Sequence, residues 1–248
     1  MGTRCVKSPP RTQYLAPFFP MILLIETSTP ICSVALAKGT EILAIRENHE
    51  GLSHATLAAA FVDEVMKESG VKLSNLDAVA ISKGPGSYTG LRIGVSIAKG
   101  LCYALNKPLI AVSSLQALAQ TASKHYDENH LFAPMIDARR MEVYTAVYNA
   151  KNECLRDIQA DIIDENSFAD FTKNHPLVLL GDGAKKCTDI FKNNPQIRID
   201  KTLKFSAVNM IPLAQTTLEN KNFVDVAYFE PFYLKDFIAG KPSVKGLK

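Results

Sequence analysis

Glu26 and Asp137 are the acids whose setting suits chemistry. Each closes an apolar run, and a carboxylate at a strand end can hold a metal-bound nucleotide or polarise water. The same positions suit turn and cap residues. Between them lies Lys83-Gly-Pro-Gly-Ser-Tyr-Thr-Gly-Leu-Arg-Ile-Gly94, a glycine-rich loop that follows the apolar Val79–Ser82 and opens a helix. A strand feeding such a loop into a helix N-terminus presents free N–H groups to an anion, which makes Gly84 and Gly86 candidate nucleotide contacts. The loop is neither a P-loop, since no Gly-Lys-Ser/Thr follows, nor a G-x-G-x-x-G dinucleotide fingerprint. A structural tight turn accounts for it equally well, with Thr89 as the expected helix cap. Ser87, Tyr88 and Thr89 carry hydroxyls, but no sequence-near histidine or lysine is placed to activate one as a nucleophile. His49 and His54 are one residue too far apart for H-E-x-x-H, because Ser53 stands where the second histidine belongs.

Composition narrows the classes around these residues. The formal charge of +3 comes from Arg4, Lys7 and Arg11 in the first twenty residues, and the remainder balances 25 Lys and Arg against 25 Asp and Glu. A neutral body does not point to non-specific nucleic-acid binding, although Tyr233–Lys248 carries four lysines against Asp236 alone. The five cysteines are scattered and never spaced C-x-x-C, which reads as reduced thiols in the cytoplasm rather than a disulfide framework or zinc knuckle. No stretch is long and apolar enough to span a bilayer. Residues 1–20 contain Pro9, Pro10, Pro17 and Pro20 and lack the uninterrupted apolar centre of a signal peptide. They read as a disordered leader or misassigned start, with Met21 opening the fold.

Elements of the following order must position the candidates. Ile22–Ile25, Cys32–Ala37 and Glu41–Arg46 read as strands joined by short turns. A helix follows with Ser53 as N-cap, Leu57, Ala58, Phe61, Val62, Val65 and Met66 recurring at helical spacing, the Leu57, Phe61 and Val65 face expected inside, and Gly70 as its stop. Strand 79–82, helix 90–105, strand Leu109–Val112 and a helix after Ser113 or Ser114 complete the order β-β-β-α-β-α-β-α. The second half repeats it: Pro134–Asp137, Glu142–Tyr148, a third strand near Leu155–Ile163, helix Asn166–Asn174, strand Leu177–Leu180, loop Gly181-Asp-Gly183 and helix Ala184–Asn193. This repetition predicts an actin-like (ASKHA) α/β fold of two duplicated RNase-H-like lobes, 21–131 and 132–248, with ligands at the cleft between them. The alanine run at 58 to 60 and the Gly90, Gly94, Ala98 stripe give two neighbouring helices smooth surfaces, a basis for a subunit interface or for packing on their own sheet.

These segments together resemble the TsaB (YeaZ) family. The resemblance is carried by Ile22-Leu-Leu-Ile-Glu-Thr-Ser-Thr29 with Cys32-Ser-Val-Ala-Leu36, Ser53-His-Ala-Thr-Leu57, the glycine loop, Pro108–Leu115, Asp137-Ala-Arg139 and Pro231-Phe-Tyr233. It implies a non-catalytic partner subunit for the related TsaD, acting with TsaE, in attaching threonylcarbamoyl to the adenosine beside the anticodon of tRNAs reading codons that start with adenine. It further implies that ATP, ADP and metal belong to the partner subunits, that tRNA is reached through the complex, and that the chain can homodimerise when alone. TsaD carries two metal-binding histidines in a V-N-H-x-x-x-H segment, where this chain has Ser114 and Leu118, which cannot replace imidazole ligands. Glu26 stands where the family often has aspartate, which weakens a nucleotide–metal role there. The partner interface implied by the resemblance uses His54, Ala59, Ala60, Gly90, Gly94 and Ala98. The alternative from another class is an actin-like small-molecule kinase or ATPase, with Glu26 or Asp137 holding magnesium.

Overall fold

A computed structural model describes residues 19–51 and 54–235. The leader to residue 18, the Ser53 cap and the basic tail beyond Lys235 lie outside them. The first half contains β1 (Met21–Glu26), β2 (Cys32–Lys38), β3 (Glu41–Asn48), α1 (His54–Ser69), β4 (Ala78–Gly84), α2 (Tyr88–Leu105), β5 (Leu109–Ser113) and α3 (Ser114–Ala122). The second contains β6 (Leu131–Asp137), β7 (Glu142–Tyr148), β8 (Cys154–Ile162), α4 (Ala169–Thr172), β9 (Leu177–Leu180), α5 (Thr188–Phe191), β10 (Ile197–Asp200) and α6 (Ile211–Glu219).

The two sheets share one topology. The first runs β3-β2-β1-β4-β5, and the second, in matching order, runs β8-β7-β6-β9-β10. In each, the first strand pairs antiparallel with the second and parallel with the fourth. The duplicated α/β pattern is therefore that of an actin-like fold.

Both faces of each sheet are covered, which explains near-continuous apolar strands such as Met21-Ile-Leu-Leu-Ile25. Leu23 and Ile25 face α1 and α2 on one side of the first sheet, while Ile22 and Leu24 meet Met210, Ile211 and Ala214 on the other. The same alternation runs through β6. Phe132 and Ile136 pack against Leu115, Leu118 and Ala119 of α3, whereas Leu131, Ala133 and Met135 meet Phe168, Ala184 and Phe191. α3 thus joins the lobes.

Five expectations need correction. The cap of α2 is Ser87, whose Oγ accepts from Gly90 N at 3.2 Å, so Thr89 lies inside the first turn. The inner face of α1 is His54, Ala58, Val62, Val65 and Met66, with Leu57 and Phe61 at its half-buried margins. The second-lobe helices shrink to single turns, α4 and α5, the latter preceded by a 3-10 stretch, Gly183–Cys187. Finally, the lobes are not divided at residue 131, because α6 and Val224, Val226 and Phe229 pack on the first sheet's two faces. Pro20 also belongs to the folded body: it is buried, and its carbonyl accepts from Gly39 N at 2.9 Å. No described helix is long and apolar enough to cross a membrane.

Candidate functional site

The glycine loop closes on the first turn of its own lobe. A Cβ at Gly86 would lie 2.1 Å from Ser28 O, one at Gly90 2.2 Å from Thr27 O, and one at Gly94 2.2 Å from Thr27 Oγ1. Ser87 N adds a 2.6 Å hydrogen bond to Ser28 O. The close approach that demands glycine is therefore made by the Thr27–Ser28 backbone at Gly86 and Gly90 and by the Thr27 side chain at Gly94. Gly84, at φ +101, sits beside the Phe232 carbonyl instead. The second lobe repeats the device, since a Cβ at Gly181 would meet Met135 O at 2.5 Å and one at Gly183 would meet Ile136 C at 2.9 Å.

Glu26 lies at the bottom of this packing, fully buried. Its Oε1 accepts from Ser28 N at 2.6 Å. Burial pushes its carboxyl up, and the Ser28 amide with the nearby Ser28, Ser82 and Ser114 side chains pulls it back without cancelling the rise, although the Ser28 and Ser114 hydroxyls have no hydrogen-bond partner among the described residues. Asp137 has the opposite setting. It is exposed, accepts from Arg139 N at 2.7 Å, and pairs with Lys186 Nζ at 2.8 Å. No group of three or more His, Cys, Asp or Glu side chains converges as a metal site among the described residues. His49 bridges to Glu47 on the surface, while His54 is buried with Nε2 2.9 Å from Thr29 O and 3.2 Å from Ile31 O. Because carbonyls only accept, Nε2 must carry the hydrogen.

Asp182, between the two second-lobe glycines, is a half-buried acid with a measurable consequence. Burial pushes its carboxyl up to about 6, partly offset by backbone amides of Asp182, Asp137 and Gly183, and the Asp137 charge adds to the rise. A folded value above the unfolded one means that stability is fullest below about pH 4 and is lost as pH climbs through about 6. Asp182→Asn is expected to stabilise the protein above pH 6 by roughly 2 kcal/mol and to have no effect near pH 4. Melting temperatures of both proteins from pH 4 to 8 check this, and parallel curves would contradict it.

The six residues expected at a partner interface divide sharply. Ala59 and Ala60 are exposed on α1, as expected of a contact surface. Gly90, Gly94 and Ala98 are buried, the first two against Thr27, so their small size serves close packing on the lobe's own β1 turn and β4. His54 is likewise turned inward. The outer face of α2 instead shows Arg92, Ser96, Gly100 and Tyr103, the last 86% exposed.

A segment that sequence reasoning did not place runs along this helix. Val224 N donates to Leu109 O at 3.1 Å, Lys99 Nζ donates to the carbonyls of Ala227 (2.8 Å) and Phe229 (3.1 Å), and Phe232 N donates to Lys83 O at 2.7 Å. Tyr233 then packs against Tyr88 with ring centroids 4.9 Å apart and the rings tilted by 41°, and Arg92 lies over the Tyr88 ring at 4.3 Å. Between α2 and this strap, Lys99, Gly100, Tyr103 and Asp225–Ala227 line a cavity of ≈ 560 Å³. The Pro231-Phe-Tyr233 motif was its only sequence signal.

Comparison with known proteins places this geometry in context. Residues 50–239 match the family model for TsaD, tRNA N6-adenosine threonylcarbamoyltransferase. The tRNA threonylcarbamoyladenosine biosynthesis protein TsaB of Escherichia coli is 32% identical over 228 residues, spanning 89% of this chain and 96% of that protein. The TsaB protein of Bacillus subtilis is 36% identical over 166 residues, 64% of this chain and 70% of that one. The solved structure of YeaZ from Pseudomonas aeruginosa is similar over 87% of this chain and 100% of that chain, with a TM-score of 0.69 and 29% identity.

Proposed function

The chain belongs to the TsaB family of tRNA threonylcarbamoyladenosine biosynthesis proteins, and from that premise we propose that it is the non-catalytic partner of a TsaD-type subunit. The observation that carries the reading is the match along nearly the whole length of curated TsaB proteins, 95% and 96% in two of them. At the start of α3, where TsaD is expected to place metal-binding histidines, Ser114 is buried beside Glu26 and Leu118 is fully buried in the interlobe core. Neither side chain can ligate a metal as imidazole does.

In this reading the complex works in the cytoplasm, with TsaE as a third subunit. ATP, ADP and metal are held by the partners, and the free chain can pair with itself. The partner surface is the outer side of α1 and α2, where Ala59 and Ala60 leave a low profile and Tyr103 offers an exposed aromatic anchor. Such a surface allows close helix approach without large side chains to reorganise.

The test is co-purification with the cell's own TsaD-type subunit, followed by a tRNA threonylcarbamoylation assay with and without this chain. Modification should depend on the chain, and the pure chain should turn over no ATP. Steady ATP hydrolysis by the chain alone, abolished by Glu26→Ala, would replace this reading with a kinase or ATPase.

A further inference from the structure

We propose that the turn between β6 and β7 is a direct contact for the phosphate backbone of tRNA, with Arg139 and Arg140 as the reading residues. The inference rests on the tRNA-modification reading above and adds to it a surface on this chain.

The argument begins with the backbone. Arg139 and Arg140 have φ of +71 and +49, consecutive left-handed positions that glycine or asparagine would occupy more easily. Each costs on the order of 1 kcal/mol or more, and such conformations persist only where neighbours fix them. Lys186 does so: its Nζ donates to Asp137 Oδ1 at 2.8 Å, Arg140 O at 2.8 Å and Glu142 O at 2.5 Å.

Charge pairing around the turn then leaves the arginines available. Asp137 is taken by Lys186 and Glu142 by Lys235, which arrives at the end of the strap. Arg139 and Arg140 are both exposed, and neither guanidinium has an ion-pair or hydrogen-bond partner among the described residues. Tyr144 stands beside them, its phenol pushed up by burial and pulled back by Lys235 and Arg139. A half-buried cation therefore holds the turn while two exposed cations stand on it.

The shape selects the ligand class. A small nucleotide needs a concave site that encloses it, whereas these arginines sit on a projecting hairpin. Unpaired guanidiniums on such a tip suit a phosphodiester backbone passing over the surface, which they can bind through two parallel hydrogen bonds each. Stability does not explain arginine here, because glycine would relieve the strain.

The test uses the full chain assembled with its TsaD-type and TsaE-type partners, and fluorescence anisotropy of labelled tRNA across a salt series. Arg139→Gly/Arg140→Gly suits the left-handed backbone, so the variant should fold at least as stably as the parent. Its complex should bind tRNA about tenfold more weakly, with a salt slope shallower by roughly 1.4–1.8 for two lost phosphate contacts. Lys151→Ala, in the turn at the other end of β7, should leave both unchanged. Equal affinity and slope for the arginine variant would overturn the proposal. So would loss of subunit assembly with tRNA binding intact, which would make the turn a protein contact. Failure of the wild-type chain to assemble would instead overturn the functional reading, and this inference with it.

Discussion

Gly90→Ala should lower the melting temperature sharply, while Gly100→Ala, in the same helix, should raise it. At Gly90 the new methyl would lie 2.2 Å from Thr27 O, a backbone atom that cannot swing aside as the end of a side chain could, with Ser87 Cβ and Oγ next at 3.3 Å. Relief requires α2 to move away from β1, breaking the 2.6 Å bond from Ser87 N to Ser28 O and disturbing the Ser87 cap on Gly90 N. Overpacking with backbone displacement costs about 3 kcal/mol or more, a drop of roughly 6–12 °C for a chain of this size. Gly100 is exposed and a Cβ there meets nothing within 4 Å, so alanine's helix preference should add about 1 kcal/mol, or roughly 2–4 °C. Thermal unfolding of the pair decides the matter. Equal melting temperatures for Gly90→Ala and the parent would show that the loop has slack for a ligand rather than closing on its own strand.

The same contacts show why some of the architecture was legible and some was not. Strands β1, β7 and β9 announce themselves because local runs of apolar residues match strand length, and the glycine loop because strand, loop and helix are contiguous. Helix position inside the loop was misread by two residues, since Ser87 and Thr89 are chemically equivalent caps and only the closure on Ser28 O chooses between them. The inner face of α1 was shifted because alanine carries little hydrophobic signal: Ala58 lies in the core, while Ala59 and Ala60 lie outside.

Long-range pairings were invisible for a different reason. Asp137 could be placed at a strand end, but its partner, Lys186, arrives from 49 residues later. Glu26 invited a metal-site reading from its place at a strand end, yet the fold buries it among Ser28, Ser82 and Ser114 from three separate segments, and burial favours its neutral form. α6 and the strap return to the first lobe after the second is complete, so no local period reports their destination. Their absence from the sequence reading placed the lobe boundary too simply, and it hid the strap that flanks the outer face of α2.

The outer face of the neighbouring α1 gives the second large effect: Ala59→Arg and Ala60→Arg should each fold normally yet weaken association with the TsaD-type partner at least a hundredfold. Both alanines are exposed, so an arginine there meets solvent in the free chain and should change stability by no more than about 0.5 kcal/mol. In a close helix contact the same side chain must be pushed aside or buried without a counter-charge, at a cost of several kcal/mol, and each 1.4 kcal/mol is a factor of about ten in affinity. The neighbouring acids do not rescue it, because Asp63 already pairs with Lys67, and Glu64 and Glu68 pair with Arg46. The original stripe on α2 cannot serve the same test, since Gly94→Arg would strike Thr27 Oγ1 and Ile81 within the lobe and report only on folding. Calorimetric titration of the two α1 variants against the partner, alongside their melting curves, separates the effects. Native melting with undiminished binding would move the partner surface off α1, and the groove beside Tyr103, at the α2–strap boundary, would become the next surface to alter.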